Sequence, residues 1–160
     1  MARLLTAIVL LLSGSVSAAD NIDVLVGEWT SRDGTLKQRI ARTFDGGLLE
    51  TQMWFRKESQ WKLVSQGSGY RRPGETAWRL VSRTIEMDGI ELFESTLEPI
   101  SALTFKVVNI AYRGDGSAME TEEEWSFVDE NRYTYTIFKI EGGERLPWYE
   151  GEWIRLGGAD

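Results

Sequence analysis

Residues 103–128 read LTFKVVNIAYRGDGSAMETEEEWSFV. The first part, Leu103 to Tyr112, is rich in β-branched and aromatic residues, and Gly114-Asp115-Gly116 interrupts it with turn formers. The second part, Met119 to Val128, puts Met119, Trp125 and Phe127 on one side at a two-residue period, with Thr121 and Glu123 on that same side. Side chains alternate across an extended chain, so this stretch predicts two strands joined by a tight turn.

The same grammar extends in both directions. Asp33-Gly34 separates Gly27–Arg32 from a strand on which Leu36, Ile40 and Phe44 share a face, and Asp45-Gly46-Gly47 ends it. Arg72-Pro73-Gly74-Glu75, Asp88-Gly89, Asp129-Glu130-Asn131 and Gly142-Gly143 punctuate the remainder. Gly67 and Gly69, inside the run Trp61–Arg71, predict a bulge or bend. Only Asn21–Val26 has helical spacing, with Asn21 as a cap and Ile22, Leu25 and Val26 as the apolar side. The tight turns leave no room for the crossover helices that parallel pairing needs. Ten such strands either split into a sandwich or close on themselves, and closure removes the exposed edges. The expected fold is all-β: a single antiparallel up-and-down meander barrel of about ten strands, with a short helical turn at the start.

Composition narrows the chemistry. The chain has 160 residues, 18 Lys plus Arg against 25 Asp plus Glu, a net charge of −7, and neither His nor Cys. One domain and no nucleic-acid partner are expected, because phosphate binding draws on clustered cations. Without His or Cys there is no Ser-His-Asp triad, thiolate nucleophile, disulfide, zinc site of the usual ligands or Fe–S cluster. Oxygen-ligand metals remain chemically open, yet no D-x-D-x-D-G loop is present. No cofactor is expected.

At the N-terminus, Arg3 precedes the apolar run Leu4–Leu12, Ser13-Gly14-Ser15 breaks it, and Val16-Ser17-Ala18 offers the small residues that a signal peptidase reads. The run is too short to span a bilayer. Residues 1–18 are therefore read as a cleaved leader and 19–160 as the barrel domain, periplasmic or secreted, with no stable membrane insertion.

Gly27-Glu28-Trp29, just after the helical turn and opening the first strand, resembles the G-x-W signature of the lipocalin and calycin superfamily. Trp153-Ile154-Arg155 is similar to its last-strand counterpart. Gly46-Gly47-Leu48-Leu49, Gly67-Ser68-Gly69-Tyr70 and Trp125-Ser126-Phe127 extend the resemblance to bacterial exported lipocalin-like proteins of unknown function. The resemblance implies a calycin-type barrel in which Gly27, Trp29 and Arg155 are structural, with the Arg packed across the Trp. It implies a small apolar or amphipathic ligand as partner. The haem-binding relatives use a His ligand, which this chain lacks.

Period-two alternation supplies the candidate site. Gln38 and Arg42 share the apolar face of their strand, and Glu123 shares that of Trp125. Arg42 is a candidate anchor for a ligand carboxylate or phosphate, with Gln38 and Glu123 fixing polar parts. The alternatives are that Arg42 and Glu123 pair with each other, or sit at a wet mouth. Among seven Trp, those at 54, 61, 78, 125 and 148 lie on different strands and could converge in one lumen; Trp54, Trp78 and Trp125 are the ligand-contact candidates. Glu120, Glu122 and Glu124 read as a solvated outer face. Glu94, Glu123 and Glu150 are the sole carboxylate candidates for acid–base work, and catalysis is not expected. The competing expectation is a barrel filled by its own side chains, acting through its rim, its acidic strand and the loops around Pro73 and Pro147. Expression with the leader intact should yield a mature protein starting at Ala19 or Asp20, read by intact mass. An unprocessed mass in the exported fraction would overturn the leader assignment.

Overall fold

The computed structural model describes residues 18–87 and 89–157; all of the expected leader except Ala18, and Asp88 of the Asp88-Gly89 turn, lie outside the described residues. A 3₁₀ helix, Ala18–Leu25, precedes ten strands. They are β1 (Gly27–Ser31), β2 (Leu36–Thr43), β3 (Leu48–Lys57), β4 (Gln60–Arg71), β5 (Trp78–Met87), β6 (Ile90–Ser101), β7 (Thr104–Arg113), β8 (Ala118–Asp129), β9 (Arg132–Glu141) and β10 (Glu144–Arg155). Each strand pairs antiparallel with its chain neighbours, and β1 pairs with β10 to close the barrel. No helix among the described residues is long and apolar enough to cross a membrane.

One end of the barrel is plugged. Trp29, Tyr133 and Phe105 are fully buried there with Leu25 and Leu49, and Ile22 closes in from the helix. The rings meet edge-on: Trp29 lies 5.0 Å from Tyr133 and 5.9 Å from Phe127, at 74° in both cases. Such T-shaped pairs add to the area term, and truncating one of these rings to Ala would cost about 3–5 kcal/mol.

Arg155 seals that floor. Its guanidinium carbon stands 4.1 Å above the Trp29 ring. Its nitrogens donate to three carbonyls: Val26 at 2.6 Å, Val24 at 2.7 Å and Glu130 at 2.8 Å. Trp29 Nε1 donates to the Leu25 carbonyl at 2.9 Å, so the orphan carbonyls at the end of the helix are taken up. Gly27 makes this possible. Its φ is +148°, and a Cβ there would run into the Arg155 guanidinium.

Two local expectations change. Phe44 does not continue the apolar face of β2: it is 79% exposed in the turn, with φ at 51°, because the strand ends at Thr43. Gly67 and Gly69 mark no bulge; they pair regularly with Thr51 and Leu49 of β3, and with Ser82 and Leu80 of β5. A Cβ at Gly67 would strike the β5 backbone, so close approach is the reason for glycine. Register shifts fall elsewhere, among them opposite Met53 and Trp54 and between Pro147 and Tyr149, where proline has no N–H to give the ladder.

Arg155→Lys keeps the charge but loses the fork that reaches three carbonyls. It should cost about 2 kcal/mol in urea unfolding, with the β-sheet signal retained. Unchanged stability would mean that the seal contributes nothing.

Candidate functional site

Above the aromatic floor the lumen is hollow. A cavity of about 310 Å³ runs from Leu25, Leu49 and Leu97 up to Leu36, Met53 and Phe93. Inward residues of strands β2 to β10 build its wall. Ile40, Leu80, Val107, Trp125, Ile137 and Trp153 give apolar surface, while Gln38, Thr51, Ser65, Ser82, Ser95 and Asn109 give neutral polar groups. Among the described residues that line it there is no Lys or Arg, and Glu123 is the one carboxylate.

Three adjacent strands organise the polar side. Ser95 of β6 donates to Asn109 Oδ1 at 2.6 Å, which turns the amide so that Nδ2 donates to Glu123 Oε1 at 2.6 Å. From the same strand, Trp125 Nε1 donates to Glu123 Oε2, also at 2.6 Å. Across the lumen, Tyr133 donates its hydroxyl proton to Gln38 Oε1 at 3.3 Å. Glu123 faces the cavity yet is walled in by protein. That enclosure pushes its carboxyl above the ordinary value of 4.5, with the Trp125 and Asn109 donors pulling in the opposite direction. Burial holds the Tyr133 phenol well above its usual range, with the nearby Glu123 adding to the effect.

The six predicted ligand contacts separate into two groups. Gln38, Glu123 and Trp125 line one cavity. Arg42, Trp54 and Trp78 do not. Arg42 points inward at the end of β2, where the helix plugs the barrel, and its guanidinium snorkels out to an ion pair with Asp23, Nε to Oδ1 at 2.5 Å. It therefore neither reaches Glu123 as a partner nor offers the lumen a positive charge. Trp78 is buried in the floor between the Arg42 and Arg71 guanidiniums, at 5.9 and 5.7 Å. Trp54 falls on the outer face beside its cross-strand neighbour Lys37, whose Nζ lies 5.6 Å from the ring.

The wider convergence of Trp rings into one lumen does not occur. Trp61 is exposed on β4, and Trp148, in the register shift between Pro147 and Tyr149, is exposed with Lys139 Nζ 4.4 Å from its ring. The three structural positions, Gly27, Trp29 and Arg155, meet at the floor.

Glu122 and Glu124 lie outside, as alternation demands, and bind Arg145 at 2.9 and 2.7 Å; Lys106 joins Glu122 at 3.0 Å. Glu94 is exposed and accepts from Tyr112, and Glu150 is exposed beside Tyr149. The three carboxylates weighed for acid–base work are thus not brought together. No cluster of three or more acidic residues suited to a metal ion occurs among the described residues.

Sequence reasoning passed over Ser95 and Asn109. The signal was available: Phe105, Val107, Asn109 and Ala111 alternate on one face of β7, as Phe93, Ser95 and Leu97 do on β6. The chain thus forms a closed antiparallel barrel with a half-filled lumen, a form compatible with the lipocalin-like fold. No known protein family matches it, and no curated protein does.

Glu123 links the site to stability. A carboxyl raised on folding contributes stability below its unfolded value, near 4.5, and that contribution is lost as pH rises through the folded value. Replacing it by Gln removes this loss. Urea unfolding at about pH 4 and about pH 7 should therefore show E123Q gaining on the wild type as pH rises. A constant difference at both would show that the carboxyl titrates alike in both states.

Proposed function

We propose that the protein is an exported, lipocalin-like carrier that holds a small, mostly apolar molecule in its lumen without transforming it. One observation carries the reading. The barrel is packed solid only at its floor, and above it remains a cavity of about 310 Å³ whose wall is mainly apolar with a few oriented polar groups. That size sits at the lower end of small-molecule sites, which run from ~300 to 1,000 Å³. Burial of apolar ligand surface at ~25 cal/mol per Å² would supply affinity, and the polar chain from Ser95 to Trp125 would set orientation.

Membership of the lipocalin-like group is supported by two features: the Gly27-x-Trp29 opening of β1 and the Arg155 guanidinium stacked on that Trp. Export to the periplasm, or beyond a bacterial cell, is supported by the leader-like residues 1–18. Separation of Glu94, Glu123 and Glu150 speaks for binding over hydrolysis.

Titration with an apolar fluorophore tests the reading. The wild type should take it up saturably, one per chain. Ser82→Phe, which puts a ring into the lumen, should weaken uptake by about tenfold or more while leaving the sheet intact. If the wild type takes up no fluorophore, and mass spectrometry finds no adduct after incubation with a lipid extract, the carrier reading falls. The protein would then act through its rim.

A further inference from the structure

We propose that the lumen selects an amphipathic cation, a small aliphatic amine bound as its ammonium ion, with Glu123 as the counter-ion. This inference rests on the carrier reading and names the class of ligand.

The wall offers one formal charge and nothing to neutralise it. Among the described residues, Glu123 takes part in no ion pair, and no Lys or Arg lines the cavity. Its oxygens accept from two neutral donors only, Asn109 Nδ2 and Trp125 Nε1. A carboxylate has about four lone-pair sites, so acceptor capacity remains. Both donors are committed: the Asn109 amide is turned by Ser95, and the indole has no other proton to give. A ligand cannot change places with them; it can only add a donor.

An enclosed charge is costly until paired, and a cation with its own donors repays this most fully. An anionic ligand would meet repulsion in a low-dielectric enclosure. The Trp125 ring beside the carboxylate adds a cation–π face, and Val107 and Ile137 offer surface to an alkyl tail.

The surroundings leave the titration to two groups. Facing Glu123 from β9 are Tyr133 and Tyr135, both held neutral above the usual phenol range by burial, and further toward the open end Lys139, whose Nζ is turned to the Trp148 ring at 4.4 Å. On β7 and β8, Lys106, Glu122 and Glu124 belong to the outer face, with Lys106 and Arg145 bound to the two carboxylates there. Seating an ammonium ion on a protonated Glu123 releases that proton to solvent, with no covalent bond made or broken. Affinity should therefore rise with pH through the Glu123 titration and fall only when the amine itself deprotonates, near ~10.

Calorimetric titration with octylamine, octanol and octanoate, below their micellar concentrations, tests this on the processed chain. At about pH 8 octylamine should bind at least about tenfold tighter than octanol, the worth of one charge-assisted contact, and octanoate weakest. The preference should shrink at about pH 5, and E123Q should bind octanol while losing the preference for the amine. Octanol or octanoate binding the wild type as tightly as octylamine would overturn the inference and leave the carrier reading standing. Failure of all three, and of the apolar fluorophore, would overturn both. The wild-type series decides the matter even if E123Q does not fold.

Discussion

Everything in this molecule depends on the closure of β1 onto β10. The seam is short: three cross-strand pairs, Trp29 with Arg155, Thr30 with Ile154 and Ser31 with Trp153. So few pairs make a weak ladder, and an opened seam would leave two edges with unpaired backbone groups. Arg155 reinforces it from the side. One guanidinium stacks on Trp29 and bonds to the carbonyls of Val24, Val26 and Glu130, tying the helix, the first strand and the β8–β9 turn into one end plate. Desolvation there lowers the pKa of Arg155, yet its carbonyl contacts call on donors that guanidinium supplies without exchange.

The sealed end and the hollow end divide the work of the sequence. Below, Trp29, Phe105, Phe127 and Tyr133 touch one another and exclude a ligand. Above, the inward residues shrink to Thr51, Ser65, Ser82 and Ser95, and the space they vacate is the cavity. Small polar side chains lining a barrel do not arise from packing alone, since a core prefers to be filled. Of these, Ser95 is tied through Asn109 to Glu123, which Trp125 also meets, so the hollow has a charged pole on β6–β8.

Much of this was legible because alternation is rigid. Once Trp125 and Phe127 are set inward, Glu123 and Thr121 must follow, and Gln38 follows Ile40 by the same rule. Alternation does not say where along its axis a barrel is plugged. Arg42 obeys the parity of β2 but stands at the floor, where a long side chain can reach past the rim to Asp23. Parity likewise fails at strand ends: Phe44 belongs to a turn with positive φ at Phe44 and Asp45, and no inward face exists there. Aromatic residues misled for another reason. Strands favour them on either face, so Trp54, Trp61 and Trp148 are as well suited to the outside as to the lumen. Gly67 could not be distinguished from a bulge residue without knowing how near β5 would pass.

The meander has a temporal consequence. Nine of the ten strand pairings join neighbours in the chain, and each can form by zipping a hairpin from its turn. The tenth joins ends whose bonded residues, Arg155 and Val24, are 131 positions apart. Loop-closure entropy makes that contact slow to find until the intervening hairpins have shortened the effective loop. The barrel then zips as a growing curved ribbon and shuts last, and the arginine that locks it arrives only with the final strand.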